Sequence, residues 1–197
     1  MNDIKQLKQK SLEQIRADIL NTNICPDLAK TAKQIVFGDG NPDASVVFIG
    51  EAPGKREDEQ GIPFVGASGK LLSEFLESIG IDRSQVYITN IVKYRPPDNR
   101  DPSDQEKQEF LPFLYAQLKT IEPSVVVTLG RHSTNCFLPD LQISNIHGQL
   151  TEVSIGGSVN MKLQIFPMYH PAVAIYNQNR RAELQEDFNK LRAILTN

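Results

Sequence analysis

The chain has 197 residues, of which 40% are apolar and 23% charged, so it fits one globular domain over residues 1–197 with a sizeable core. The net charge of −3 argues against indiscriminate binding to nucleic acid, and the two cysteines, Cys25 and Cys136, supply neither a disulfide framework nor a complete metal site. No apolar run approaches the length of a membrane span and the N-terminus is not signal-like, so we expect a cytoplasmic protein with no membrane partner.

The predicted elements begin with an amphipathic helix at about 4–20, in which apolar residues recur at helical spacing. Further elements follow in chain order: a short strand near 34–37, a strand at 45–50, a helix at 68–79, a strand at 85–92, a helix at 104–118, a strand at 124–130, a short helix at 131–138, a strand or β-ribbon within 157–171 and a helix at about 180–195. Ser103 and Glu106 have the spacing of a capping box at the start of the helix at 104–118.

Strands that alternate with helices predict a largely parallel sheet covered by helices on both faces. Runs such as "SVVFIG" are apolar throughout, as in strands that are buried on both sides. Ligands of such sheets bind outside the carboxyl ends of the strands. We therefore expect four segments to share one rim: 50–54, 89–100, 129–132 and 169–172.

The segment after the first buried strand, "GEAPGKREDEQGIPFVG", is rich in both glycine and carboxylates. A glycine-rich turn between a strand and a helix often holds phosphate, but carboxylates repel phosphate. The sequence matches neither a Walker loop nor a dinucleotide fingerprint. Nucleotide binding is therefore disfavoured, and the turn requires another ligand.

Nucleophilic and metal catalysis are also disfavoured. The chain has no Gly-x-Ser-x-Gly elbow, and its histidines lack the helical spacing of a zinc site, so we predict no metal. We interpret His132 as a helix-surface residue and His147 as part of a polar turn. His170 follows an apolar strand directly, and its ring is expected to point at the rim.

Four rim residues are suited to binding a nucleobase that has left its stack. Phe64 offers a stacking face, the Asn90 amide both donates and accepts hydrogen bonds, and Glu51 and His170 supply polar groups for catalysis. Taken singly, Phe64 is equally well explained by core packing and Asn90 by a turn. The joint arrangement favours a base pocket.

These residues stand in three blocks that resemble the uracil-DNA glycosylase superfamily, most closely its family 4. The blocks are "VFGDGNPDASVVFIGEAPGKREDEQGIPFVG", "VYITNIVKYRPPDNRDP" and "YHPA". The similarity extends from about Cys25 to the final helix. It implies a three-layer α/β/α sandwich with a central four-stranded parallel sheet, and hydrolysis of the N-glycosidic bond of uracil in DNA to leave an abasic site.

The resemblance also implies roles for single residues. Phe64 would stack on the flipped uracil, Asn90 would read its polar edge, and His170 would donate to the uracil oxygen that gains charge. Glu51 would position the attacking water or stabilise the cationic sugar. Glu57 would lie beside uracil C5, where thymine carries its methyl group.

Further positions complete the implied site. Asn99 would lie near the reacting sugar, and Gly50 and Ala52 would contact the base. The partners implied are uracil-containing DNA and free uracil as product, with the protein a monomer. The basic residues near the rim are predicted to contact the DNA backbone: Lys55, Arg56, Lys93, Arg95, Arg100 and Arg131.

The chain departs from family 4 at the cysteines that ligate a 4Fe–4S cluster. The matching positions hold Thr22, Cys25, Tyr94 and Phe110, and iron–sulfur ligation needs thiolates. We therefore predict no cofactor, and expect Tyr94 and Phe110 to pack together near Cys25. The second block has no inserted histidine loop, so no covalent protein–DNA product is predicted.

Two alternatives to a uracil-DNA glycosylase remain open. One is a glycosylase of wider range that also removes other deaminated bases. The other is a catalytically silent binder of uracil-containing or abasic DNA, which the presence of Glu51, Asn90 and His170 disfavours.

Overall fold

The computed structural model describes residues 2–156 and 160–196. Three residues of the ribbon predicted within 157–171 lie outside this range, as do the two terminal residues of the predicted domain. The assignment of residues 1–197 to one domain stays a prediction. Within the described residues, none of the helices combines the length and apolarity needed to cross a membrane.

The helices, in chain order, are α1 (Asn2–Thr22), α2 (Pro26–Thr31), α3 (Lys55–Gln60), α4 (Ala67–Ser78), α5 (Asp104–Ile121), α6 (Arg131–Asn135), α7 (Ile143–Ile146) and α8 (Gln178–Thr196). The strands are β1 (Asp39–Gly40), β2 (Val46–Gly50), β3 (Tyr87–Asn90), β4 (Val125–Leu129), β5 (Thr151–Ile155) and β6 (Met161–Met168). Short 3-10 helices occupy Arg83–Gln85, Pro97–Asn99 and Pro171–Ala174.

The strands form one sheet in the order β1-β3-β2-β4-β6-β5. The four central strands are parallel to one another, which confirms the predicted core of the sheet. Antiparallel strands extend it at both edges, where β1 pairs with β3 and β5 pairs with β6. The sequence did not predict these edge strands, because β1 is only two residues long and β5 alternates between half-buried and exposed positions without a strong apolar run.

The central strands bury both of their faces, and successive residues belong to two different cores. Val47 and Ile49 of β2 lie in the core under α1, α2 and α5, whereas Val46 and Phe48 lie in the core under α4 and α8. This alternation is the period-2 geometry of a strand. The result is the predicted three-layer α/β/α sandwich.

Two local predictions differ from the structure. The strand expected near 34–37 is absent there, and the segment is instead joined to the second block by a hydrogen bond from Val36 N to the Lys93 carbonyl at 2.8 Å. The acidic turn contains a short helix, α3, which was read as a loop. The capping box at α5 is confirmed, with Ser103 and Glu106 bonded reciprocally.

Candidate functional site

The candidate site lies at the carboxyl edge of the parallel strands, where β2 and β3 end side by side. Gly50 and Asn90 are paired in register as the last residues of these strands. A Cβ at Gly50 would collide with the Asn90 amide oxygen and would lie 2.7 Å from the Phe64 ring. Only glycine leaves room for both side chains, which explains why the turn begins with this residue.

Phe64 is held in an unusual backbone conformation. It is a bulky residue with φ of 53°, in the left-handed region that such side chains rarely adopt. Gly69 of α4 permits this, because a Cβ there would collide with the Phe64 carbonyl. The ring is only 6% exposed, and its centroid lies 5.6 Å from the His170 ring. Strain of this kind collects at functional sites.

His170 caps the 3-10 helix that follows β6. Its Nδ1 accepts a hydrogen bond from Ala172 N at 3.2 Å, so in the neutral ring the proton lies on Nε2. Burial lowers the pKa of His170 to about 4, and the nearby Glu57 only partly opposes this shift. The ring is therefore neutral at pH 7 and presents one N–H donor.

Glu57 of α3 is fixed by backbone amides. Its Oε1 accepts hydrogen bonds from Val65 N at 3.0 Å and Gly66 N at 2.8 Å. Gly66 is the N-cap of α4, so the carboxylate satisfies amides at the start of that helix. The acidic residue therefore joins α3 to α4 at a fixed position.

These groups enclose a cavity of about 180 Å³. Five predicted residues line it, together with two that were not predicted: Ala52, Glu57, Phe64, Asn90 and His170, with Gly54 and Ser68. An aromatic face, an amide, an imidazole N–H and a carboxylate thus surround one small space. Such a set can stack on a flat ring and hydrogen-bond to its edge.

Glu51 lies beside this cavity in a second cluster rather than in its lining. Its Oε1 lies 3.6 Å from His132 Nε2 and makes no hydrogen bond within the described residues. Burial, followed by repulsion from Asp101, raises the pKa of Glu51 to about 7, while Lys107 and Arg131 oppose the shift. A half-protonated carboxyl group at pH 7 is unusual, and such groups often mark functional sites.

Sequence reasoning missed two residues of this cluster: Asp101, which it did not single out, and His132, which it interprets as a surface residue. Its Nε2 lies 3.1 Å from Asp101 Oδ2 and 3.0 Å from Arg131 Nε. Burial is the largest cause that lowers the pKa of His132, so the ring is neutral at pH 7. The "LGRH" segment is expected on the rim, and the position of His132 two residues after Gly130 was the signal that could have placed it in the site.

The same cluster offers a possible metal-ligand set. Glu51, Asp101 and His132 each have a ligand atom within 4.8 Å of the others. Arg131 already contacts Asp101 and His132 from one side, at 3.2 and 3.0 Å, and a guanidinium in this position repels a cation. Arg131 thus places a positive charge beside Asp101, which lies within the same cluster.

Asn99 and the basic residues lie outside the pocket lining. The Asn99 amide oxygen accepts a hydrogen bond from Arg95 Nε at 2.8 Å on the exposed loop. Arg100 is bound by Glu106 through both of its terminal nitrogens, at 2.9 and 2.6 Å. Lys55 and Arg56 are exposed on α3.

One of the predicted DNA contacts is wrong. Lys93 is fully buried, and its ammonium group bonds to neighbouring protein atoms in the core. Lys93 follows "NIV" and precedes a polar, proline-rich loop, and nothing in that pattern indicates that its side chain turns inward. A buried ammonium cannot contact a phosphate backbone.

The fold and this pocket define a class: an α/β/α protein with a pocket at the carboxyl edge of its parallel strands, where ligands of such sheets bind. Residues 37–192 match the model of a family described as "Uracil DNA glycosylase superfamily". The chain belongs to the uracil-DNA glycosylase superfamily.

Three relatives are similar over most of their length, and each is named a type-4 uracil-DNA glycosylase. The protein from Archaeoglobus fulgidus is 44% identical, with 92% of each chain covered. The protein from Sulfurisphaera tokodaii is 42% identical, with 93% of this chain and 84% of the relative covered. The protein from Thermotoga maritima is 34% identical, with 95% and 96% covered.

This similarity corrects the cofactor prediction. The type-4 enzymes are the family that contains an iron–sulfur cluster. The number of cysteines alone does not exclude a cluster, so the prediction of no cofactor is wrong. The four matching positions supply one thiol, whereas iron–sulfur ligation uses several thiolates. Burial raises the pKa of the Cys25 thiol to about 12, and its Sγ lies 3.2 Å from Glu109 Oε2.

The predicted packing around these positions is confirmed. Tyr94 and Phe110 are 6% and 0% exposed, and their rings meet edge to face with centroids 5.9 Å apart. Both belong to the same apolar cluster as Cys25 and the half-buried Ile24. Aromatic packing therefore joins the N-terminal segment to the second block and to α5.

Proposed function

We propose that this protein is a uracil-DNA glycosylase, which hydrolyses the N-glycosidic bond of uracil in DNA to leave an abasic site and free uracil. The observation that carries the proposal is the pocket of Phe64, Asn90 and His170 in a chain 42–44% identical to type-4 uracil-DNA glycosylases. A base within a duplex cannot reach this buried pocket, so the target nucleotide is flipped out of the stack.

Recognition of the base relies on groups with fixed positions. The Asn90 amide both donates and accepts, as the uracil edge requires, whereas a cytosine edge offers the opposite pattern. Phe64 supplies the stacking face. Two backbone amides immobilise the Glu57 carboxylate, so it cannot move aside for the methyl group at C5 of thymine.

Bond cleavage leaves the electron pair on uracil, which departs as an anion. The neutral His170 ring donates its Nε2 proton in a hydrogen bond to the uracil oxygen where charge develops. A donor aimed at developing charge is typically worth about 10²–10³ in rate. Because the pKa of His170 lies near 4, this donor does not titrate near neutral pH.

The sugar develops positive charge as the bond breaks, and water then adds to C1′. Glu51 acts on this side of the reaction, because a carboxylate stabilises a cationic sugar and accepts a hydrogen bond from the attacking water. Its Oε1 is buried and has no hydrogen-bond partner within the described residues, so one acceptor of this carboxylate is not used by the fold. Asn99 is assigned to the sugar side as well, on the resemblance alone.

Single-turnover cleavage of a uracil-containing oligonucleotide tests the proposal. The expected result is an abasic site, detected as an alkali-labile break, and no such break in the cytosine-containing control. Binding of the uracil oligonucleotide without any break would favour the silent binder. Comparable rates on hypoxanthine or xanthine would favour the enzyme of wider range.

The remaining assignments are part of the same proposal. The protein acts as a monomer on DNA, since one chain supplies every group named above. Its cytoplasmic location stays a prediction from the sequence.

A further inference from the structure

Lys93 has an environment that neither DNA contact nor stability explains. It is fully buried, directly behind the strand end that carries Asn90. Its Nζ donates hydrogen bonds to Thr89 Oγ1 at 2.7 Å, to the Asn90 carbonyl at 2.7 Å and to Gln117 Oε1 at 2.6 Å. The ammonium group also lies 5.8 Å from the centroid of the Phe37 ring.

The partners of Lys93 indicate that it carries a charge. A carbonyl and an amide oxygen only accept hydrogen bonds, and Thr89 uses its single proton on the Phe37 carbonyl at 2.7 Å. Gln117 directs its amide nitrogen to the same carbonyl, at 3.2 Å, so its oxygen faces Lys93. Three acceptors require three N–H donors, which only the ammonium form has. Burial lowers the pKa of Lys93 well below its ordinary value, whereas hydrogen bonds to three acceptors favour the charged form.

Stability alone does not account for this arrangement. No carboxylate in the described part of the chain lies within ion-pairing distance of Lys93. Burying a charge is costly, and an apolar side chain of similar volume is often as stable or more so. A buried lysine with only neutral partners is therefore explained better by what it holds in place.

The atoms held by Lys93 belong to the end of β3, whose continuation is hydrogen-bonded to the end of the parallel strand β2. Asn90 ends β3, and the next amides cross to β2, with Ile91 N bonded to the Gly50 carbonyl and Val92 N to the Glu51 carbonyl, both at 3.0 Å. Lys93 then reaches back three residues to the Asn90 carbonyl. The backbone that carries the Asn90 amide is thus held both by Lys93 and by the hydrogen bonds to the end of β2.

We infer that Lys93 is a positioning residue for Asn90, which holds the base-reading amide in register with the pocket from inside the core. The inference rests on the proposed function, and it assigns to this lysine a role in uracil discrimination. Displacement of a binding group by about 1 Å costs on the order of 10²-fold in rate. Removal of the ammonium group should therefore reduce excision through Asn90 and not through a general loss of fold.

The test is a double-mutant cycle on single-turnover uracil excision, with every variant assayed at a temperature where circular dichroism shows it folded. Lys93→Met retains the length of the side chain and removes the charge. We expect it to slow excision by about 10²-fold in the wild-type background and by less than about twofold in an Asn90→Ala background. Leu114→Ala, in the same apolar core, is the matched control and should change the rate little in either background.

A second variant keeps the inference testable if Lys93→Met does not fold. Lys93→Met combined with Gln117→Met removes one of the three acceptors along with the donor, so fewer buried oxygens are left without a partner than in Lys93→Met alone. It should show the same loss of rate as Lys93→Met. Equal losses in both Asn90 backgrounds, or a wild-type rate, would overturn the inference. If the wild-type protein itself leaves uracil in place, it is the proposed function that fails.

Discussion

At the scale of single residues, the candidate site contains two groups whose pKa values are shifted in opposite directions: His170 in the pocket and Glu51 beside it. Burial lowers the pKa of His170 to about 4 and raises the pKa of Glu51 to about 7. Both shifts have the same cause, because desolvation disfavours whichever form is charged. The histidine therefore stays a neutral donor over the working pH range, while the carboxyl group titrates within it.

The shift of Glu51 predicts how excision depends on pH. The carboxylate form is the active one, so the single-turnover rate should fall as pH drops through about 7. Glu51→Gln should be slower at every pH and should lose this limb, since an amide does not titrate. A rate profile from pH 5 to 9 for both proteins measures this; an unchanged limb in Glu51→Gln would assign the titration to another group.

The same shift has the opposite consequence for stability. The folded protein holds the Glu51 proton more tightly than the unfolded chain, in which the ordinary pKa is 4.5. Stability related to this group is therefore lost as pH rises from about 4.5 to about 7. Glu51→Gln should raise the thermal midpoint at pH 8 more than at pH 5, and an equal change at both values would contradict the assigned cause.

Residue identities could be predicted better than residue environments. Their positions in the sequence predict one base pocket for Phe64, Asn90 and His170, and the resemblance adds Glu57; the structure brings these four together and places Glu51, which was expected with them, beside the pocket. The burial of Lys93 was not predictable, because it depends on Gln117 from a helix distant in sequence. The approach of His132 to Glu51 likewise arises from chain segments that the sequence does not link.

At the scale of elements, the aromatic contact between the second block and α5 is the clearest structural device. Tyr94 lies in the loop after β3 and Phe110 on α5, and together with Cys25 they belong to one apolar cluster. Further along the same loop, Asp98 and Asn99 have positive φ values of 55° and 54°. The aromatic packing thus fixes one end of a loop that leads to the predicted sugar-side residue.

Removal of the Phe110 ring should destabilise the protein substantially. Phe110→Ala leaves a cavity in a fully buried position, and such changes typically cost about 3–5 kcal/mol in the free energy of unfolding. Phe113→Ala on the same helix is the control, and should cost less because Phe113 is only half-buried. Urea unfolding at constant pH measures both, and equal losses would show that the aromatic contact has no special weight.

The edge strands explain where prediction of the elements stopped. Of the central strands, β2 (VVFIG) and β4 (VVVTL) are almost wholly apolar, and this pattern is strong in the sequence. β1 is a two-residue pairing at a glycine-rich turn, and its existence depends on the neighbouring β3 rather than on its own residues. Short edge strands of this kind are defined by tertiary contacts.

At the scale of the whole molecule, the protein is acidic yet is proposed to bind a polyanion. Arg100 and Arg131 are already paired with Glu106 and Asp101. Lys55 and Arg56 of α3 are exposed at the start of the pocket segment, and no ion pair joins either of them within residues 2–156 and 160–196. These two residues are the better candidates for phosphate contacts.

The salt dependence of DNA binding tests this choice. Arg56→Ala should weaken binding and reduce the slope of log K against log salt by about one. The control is Arg192→Ala, which should leave the slope unchanged. Arg192 is exposed near the end of α8, and this helix begins at the carboxyl edge of the sheet and runs away from it. Titrations at three salt concentrations suffice, and equal slopes for both variants would remove Arg56 from the interface.

The most direct test of the central claim is the single-turnover excision rate of His170→Ala on a uracil-containing oligonucleotide, measured at saturating protein beside the dissociation constant for the same DNA. The His170 bond to uracil strengthens only as charge develops on the base. The predicted result is a rate lower by about 10²–10³ with the dissociation constant changed by less than about threefold. A wild-type rate, or equal losses in rate and in affinity, would contradict the account.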